Sequence, residues 1–353
     1  VTRAAHRTFG EPIELAGQGS FFVGGRMVTA AGNYDGTVST FPPNTGQSFW
    51  VDQMYVQYQI PRHRTGLPVV LVHGGGGTGR VWETTPDGRE GYQNIFLRRG
   101  HPVYIVDAPR GGRSGFPSFN GDVGKLDETQ QFVPARTLRP GREHGWSRWR
   151  LGPTYPQVYD TQAFPMDAVD SFLQHLRPLI SDDADVVAGA LTALFDEIGE
   201  CILVTHSNSG LWGWLAAARS SEVRAVVSYE PGVVFAEESL PHPIPLSSGL
   251  EPAGTTVPAA EFDRLARIPI QVVFGDNIPT EPVADLPADK RRVQVLAARQ
   301  FVSALNQVDS RARASVLLLP EVGLRGNSHF MFSDLNNIEV ADRLSAFIAE
   351  NVF

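Results

Sequence analysis

Cys201-Ile202-Leu203-Val204-Thr205-His206-Ser207-Asn208-Ser209-Gly210 is an apolar run that breaks into a turn of small and polar residues, and a helix-like stretch from Leu211 to Arg219 follows at once. A serine with small residues two places to either side, between a buried strand and a helix, reads as a bend that holds Ser207 at positive φ. Such a bend lifts the hydroxyl clear of the sheet edge, which is the geometry of a nucleophile elbow. Bulky side chains at the flanking positions would collide across so tight a turn. The usual pattern carries glycine at both; here Thr205 and Ser209 stand there, with Gly210 one place later.

Chain order extends the reading. Upstream, Leu67-Pro68-Val69-Val70-Leu71-Val72 runs into His73-Gly74-Gly75-Gly76-Gly77-Thr78-Gly79, a strand ending in glycines whose N–H groups can approach a ligand without Cβ interference. Downstream, Glu230 ends Val226-Val227-Ser228-Tyr229, and Asp276 ends Ile270-Gln271-Val272-Val273-Phe274-Gly275. His329 follows the strand Ser315-Val316-Leu317-Leu318-Leu319 and its polar loop. Serine, acid and histidine, each just past the C-terminal end of a strand, is the chain order of α/β-hydrolases. Open α/β sheets bind their ligands at that edge.

Composition agrees with a large globular core: 353 residues, 42% hydrophobic and 19% charged. A net charge of −8 speaks against nucleic acid or an anionic membrane as partner. No apolar run nears the ~20 residues that span a bilayer. The single cysteine, Cys201, excludes an internal disulfide, and its place in a strand marks a buried structural thiol. The chain begins Val1-Thr2-Arg3 and shows no signal peptide, so the cytoplasm and secretion after processing are both compatible with it, as is a homo-oligomer.

The expected fold is one α/β domain over residues 1–353, a mostly parallel central sheet covered by helices on both faces. Continuous apolar strands at 67–72, 103–107, 201–205, 224–229, 270–275 and 315–319 alternate with helices at 165–178, 185–199, 209–220, 291–309 and 338–350. Short strands at 20–23 and 26–28, and an alternating one at 54–60, come before them. Two stretches break the rhythm. One, about 116–164, is dense in aromatics and arginines (Phe116, Phe119, Arg142, Trp146, Arg148, Trp149, Arg150); the other, about 233–262, carries several prolines. Both read as cap-like insertions over the strand ends.

Serine needs an adjacent base to take its proton, and His329 is the candidate among nine histidines. The acid that orients the imidazole is Asp276 or Glu230, and counting strands favours Asp276 slightly. The N–H of Asn208, helped by the helix that starts there, and an N–H of the glycine loop, with Gly75 chosen over its neighbours Gly74 and Gly76, supply the donors for a developing oxyanion. That loop lacks the Gly-Lys-Ser/Thr ending of a phosphate loop. No His/Cys/Asp cluster has metal-ligand spacing, so neither metal nor cofactor is expected. Asp107 to Gly115 reads as a structural turn. Trp82, Trp146, Trp149, Trp212 and Phe330 are the expected pocket walls.

At Trp82-Glu83-Thr84-Thr85-Pro86-Asp87-Gly88-Arg89, at the elbow, at Phe274-Gly275-Asp276-Asn277-Ile278 and at Gly326-Asn327-Ser328-His329, the chain resembles a small group of bacterial esterases with a Ser–His–Glu triad. The likeness to α/β-hydrolases runs from about residue 50 to the end. It makes Thr205 and Ser209 expected features of the elbow. It also implies that the acid follows the strand after the elbow, which selects Glu230 and leaves Asp276 a structural residue nearby. The group's best-known member has a vicinal cysteine pair in the oxyanion loop, where this chain has Gly75 and Gly76. The resemblance implies hydrolysis of an ester or lactone, and aromatic walls would suit a bulky hydrophobic one, an aryl macrolactone for example. An amidase, thioesterase or carbon–carbon bond hydrolase would share these residues. A non-catalytic binding module would keep the pocket without them.

Overall fold

Val69, Val70, Leu71 and Val72 are all fully buried, although successive side chains of a strand point to opposite faces. A strand that is apolar on both faces needs cover on both, and two separate hydrophobic clusters provide it. Val70 and Val72 belong to one, Val69 and Leu71 to the other. The computed structural model describes residues 10–37, 39, 44–116, 137–180, 183–309 and 312–352, with the backbone of 118–119, 122–126 and 132–134. Val1-Thr2-Arg3 and the Phe119 side chain lie outside the described residues.

Among the described residues the central sheet has eight strands: β1 (Leu15–Thr29), β2 (Ser48–Pro61), β3 (Val69–Val72), β4 (Val103–Asp107), β5 (Cys201–His206), β6 (Val223–Tyr229), β7 (Ile270–Phe274) and β8 (Ala314–Leu318). Their spatial order is β1-β2-β4-β3-β5-β6-β7-β8. The β1–β2 and β2–β4 pairs are antiparallel, and every pair from β4 to β8 is parallel. The α/β-hydrolase architecture expected from the apolar runs is therefore present, with its parallel strands all ending on one edge.

Some elements differ from expectation for identifiable reasons. The two short strands at 20–23 and 26–28 are one 15-residue strand, β1, which Gly24 and Gly25 carry through at φ +61° and +77°. Gly24 passes so close to the helix Ala184–Ile198 that a Cβ there would sit 3.0 Å from Ala190. The helix expected at 291–309 starts earlier, at Leu286, because Asp285 caps it by accepting from the Ala288 N–H and Pro287 occupies its first turn, where a missing donor costs nothing. The helix expected at 165–178 is only a turn of 3₁₀ helix at Met166–Ala168 and a short helix, Val169–Gln174.

The two irregular stretches also part company. Residues 233–262 include Val234, Phe235, Ile244, Leu246 and Phe262, which are buried in the cluster shared with the helices Ser209–Arg219 and Leu286–Val308. This stretch extends the core on one face of the sheet. The described part of 116–164 instead reaches over the strand ends. Among the described residues, no helix is long and apolar enough to cross a membrane.

Candidate active site

The parallel register sets the site. His206 pairs with Tyr229 across β5 and β6, and Tyr229 pairs with Val273 across β6 and β7. The ladder runs one residue further at each step: the Ser207 N–H donates to the Tyr229 carbonyl and the Glu230 N–H to the Val273 carbonyl, both at 2.9 Å. Ser207 and Glu230 are thus neighbours on the sheet edge. Both turn there with positive φ, +56° and +47°. Among the described residues six non-glycine positions have positive φ, and three of them (Arg150, Ser207, Glu230) meet at this site. Backbone strain of this kind persists only where the surroundings over-determine it.

The flanking positions of the elbow carry hydroxyls that the structure uses. Ser209 Oγ accepts from the His206 N–H at 2.8 Å and lies 3.1 Å from the Val72 carbonyl, which ties the bend to β3. Thr205 Oγ1 bonds Ser228 Oγ at 2.6 Å. Room for the Thr205 methyl comes from Gly213, one turn into the helix, where a Cβ would lie 2.6 Å from Thr205 Cγ2.

His329 Nδ1 donates to Glu230 Oε2 at 2.6 Å, which leaves Nε2 as the unprotonated nitrogen. Glu230 is fully buried, and it also accepts from the Gly275 N–H at 2.9 Å and from Arg150 at both oxygens, Nη1 at 2.8 Å and Nη2. Burial alone would raise its pKa. The Arg150 guanidinium and the His329 hydrogen bond outweigh that and hold the carboxyl well below the usual range. Burial pushes His329 well below the ordinary imidazole value, Arg291 and His206 add to the push, and Glu230 opposes it. The resting imidazole is neutral, as a general base must be.

Asp276 is placed differently. Its carboxylate accepts from the N–H groups of Asn277 and Gly326, both at 2.8 Å, so it anchors the base of the loop that carries His329. The hydrogen-bond geometry pairs His329 with Glu230, as the resemblance implied and against the slight preference from counting strands.

Beside the elbow, Gly75 packs on Asn208: a Cβ on Gly75 would lie 2.5 Å from Asn208 Nδ2, and one on Gly74 2.6 Å from His206 Nδ1. No acceptor for the Gly75 or Asn208 N–H is found among the described residues. His73 shapes this loop from below. Its Nδ1 donates to the Gly74 carbonyl at 2.7 Å while Nε2 accepts from the Ala108 N–H at 3.1 Å. Burial, reinforced by Arg177, holds His73 down to about 4. His206 is likewise neutral, pushed by burial to about 3, and its Nε2–H donates to the His329 carbonyl at 3.0 Å.

These residues open on a cleft of about 100 Å³ whose walls include Gly74 to Gly77, Ser207, Asn208 and His329. Of the expected aromatic walls, Trp149 and Phe330 line it, in edge contact at 5.7 Å. Trp82, Trp146 and Trp212 do not, among the described residues, and this corrects the expectation. Trp82 packs on Phe332 at 4.1 Å, Trp146 donates to the Gln157 carbonyl, and Trp212 belongs to the core cluster on the other face. The first insertion contributes more than walls. The Trp149 carbonyl accepts from the His329 N–H at 3.0 Å, and Arg150 holds Glu230. The role of Arg150 left no local pattern in the sequence beyond its arginine-rich neighbourhood.

No family model matches the chain. The solved structure of a novel bacterial esterase superimposes with a TM-score of 0.77 at 32% identity, covering 99% of this chain and 100% of that one. Probable secreted lipase phiG of Fungal sp. (strain ATCC 74256) is 28% identical over 326 residues, which are 84% of this chain and 85% of that protein.

Proposed function

We propose, for a chain that belongs to the bacterial esterases of the α/β-hydrolase superfamily and is a carboxylic ester hydrolase, that Ser207 attacks the ester carbonyl and forms an acyl-enzyme. His329 takes the serine proton at Nε2 and returns it to the leaving alcohol; a water then repeats the sequence in reverse. Glu230 keeps Nδ1 protonated and stabilises the imidazolium that forms. The N–H groups of Gly75 and Asn208 receive the oxyanion, and removing one such donor typically costs ~2.7–4 kcal/mol. The observation that carries this reading is the 2.6 Å bond from His329, in the wall of the cleft that Ser207 also lines, to a buried, ionised Glu230 beneath it.

The size of the cleft bears on the substrate. About 100 Å³ is below the ~300–1,000 Å³ of sites that enclose a drug-sized ligand. In this conformation one side of an ester fits inside. A bulky hydrophobic ester or lactone, an aryl macrolactone included, would extend over the rim made by Leu138, Pro140, His144 and Arg148.

Ser207→Ala tests the nucleophile. Hydrolysis of a p-nitrophenyl ester is expected to fall roughly 10⁵-fold or more, and covalent labelling by a fluorophosphonate to vanish. Labelling that persists at another residue would remove Ser207 from this role.

A further inference from the structure

The cleft differs in charge from the protein around it. The chain has a net charge of −8, yet among the described residues no Asp or Glu lines the cleft, whereas Arg148 does; the lining His175 is held neutral by burial, down to about 4. Glu230 lies beneath it, fully buried and matched by Arg150. Three of the five arginines of the first insertion make the contrast local. Arg142 pairs with Asp170 and Arg150 with Glu230, but the exposed Arg148 guanidinium has no partner among the described residues. Its backbone is nevertheless held in place. Arg148 ends the helix Arg142–Arg148, and its carbonyl accepts from the buried Arg291 Nη2 at 3.2 Å.

An exposed guanidinium with no partner among the described residues, on a residue that lines the cleft and whose backbone is fixed, is suited to a carboxylate, which it can bind through two parallel hydrogen bonds. We infer that Arg148 is an anion subsite at the rim of the cleft and that the preferred ester carries a free carboxylate on the part lying over that rim. A half-ester of a dicarboxylic acid meets this description: the reacting carbonyl lies at Ser207 while the free acid reaches back to Arg148. The inference rests on the ester reading given above and narrows its substrate class. An exposed cation at the rim also raises the local concentration of an anionic substrate, an effect that salt weakens.

The test compares p-nitrophenyl hydrogen adipate with its neutral methyl ester, p-nitrophenyl methyl adipate, by kcat/KM. The parent is expected to prefer the charged ester on the order of tenfold. Arg148→Gln should abolish the preference and Arg148→Lys should keep part of it, while raising the salt to about 0.5 M should shrink it. The rate of fluorophosphonate labelling checks that each variant is folded. Equal turnover of the two esters by the parent, or the same ratio in Arg148→Gln as in the parent, overturns the subsite and leaves ester hydrolysis standing. Failure of the ester reading looks different: neither ester is cleaved and Ser207 takes no label.

Discussion

Two fully buried carboxylates flank the loop that carries His329, and their surroundings shift them in opposite directions. Glu230, on the sheet side, meets the Arg150 guanidinium, the His329 ring and the Gly275 N–H, with Arg291 Nη1 at 4.0 Å. Asp334, on the far side, has neutral hydrogen-bond partners: the Ser328 N–H at 2.7 Å, Ser328 Oγ at 2.7 Å and Asn327 Nδ2 at 3.0 Å. Burial pushes both carboxyls up. At Glu230 the guanidinium reverses the push, and at Asp334 the neutral donors do not, so its pKa is raised to about 7. Equal burial therefore gives an electrostatic clamp where a cation touches the acid and a neutral bracket where none does. The bracket continues outward through Arg89, which donates to the Ser333 carbonyl at 3.0 Å and to Asn337 Oδ1 at 2.6 Å.

Removing the clamp should have the largest effect. Glu230→Gln is expected to lower kcat for a p-nitrophenyl ester on the order of 10³–10⁴-fold, because the amide disfavours the Nδ1–H tautomer. Asp276→Asn should cost less than about tenfold, since that acid touches the loop backbone and not the imidazole. A greater loss in Asp276→Asn would transfer the orienting role to Asp276. Arg150→Met comes next. It leaves Glu230 buried without its cation, and breaking a buried pair in this way costs ~3–5 kcal/mol of stability, measurable by urea unfolding. With the full carboxylate charge then acting on His329, the imidazolium is favoured and its pKa rises. The acid limb of kcat/KM should move to higher pH, with Arg150→Lys moving it less. A profile that stays in place would show that Arg150 does not govern the basicity of His329.

What the sequence disclosed follows the same division. The elbow, the glycine loop and His329 were legible because each is encoded locally, by small residues or by the end of an apolar run. The sheet was legible because continuous apolar strands need cover on both faces. The choice between Glu230 and Asp276 was not local: both end neighbouring parallel strands, and it is the hydrogen bonds of each carboxylate that separate them. Arg150 lies in an irregular tract 80 residues before its partner, where no periodicity reports which way a side chain points. The aromatic walls failed for a related reason. Tryptophan in a sequence signals burial, but Trp82 and Trp212 are buried on opposite faces of the sheet, away from the cleft. A break in the strand–helix rhythm was equally ambiguous, since it marks a core extension at 233–262 and the rim of the site at 137–150.

The bracket offers the smallest and most selective effect. Asp334 has its carboxyl raised to about 7 from an ordinary 3.8. Between those values the folded protein keeps this proton and the unfolded chain has released it, so the group's contribution to stability falls as pH rises through that window. The substitution Asp334→Asn would mimic the protonated acid: the new amide oxygen can accept from the Ser328 N–H and the NH₂ can donate to Ser328 Oγ. Activity at pH 7 should change by no more than about tenfold, as the clamp is untouched. The unfolding free energy of the variant should gain on that of the parent as pH goes from about 4 to about 7, a few kcal/mol at most. Stability that other groups lose or gain in this range, including that lost below about pH 6.5 because the depressed His329 resists protonation, is common to both proteins and cancels in the difference. Urea unfolding of both proteins at several pH values measures it. Parallel curves would mean that Asp334 is ionised in the fold, and the contrast with Glu230 would then lie in geometry and not in charge.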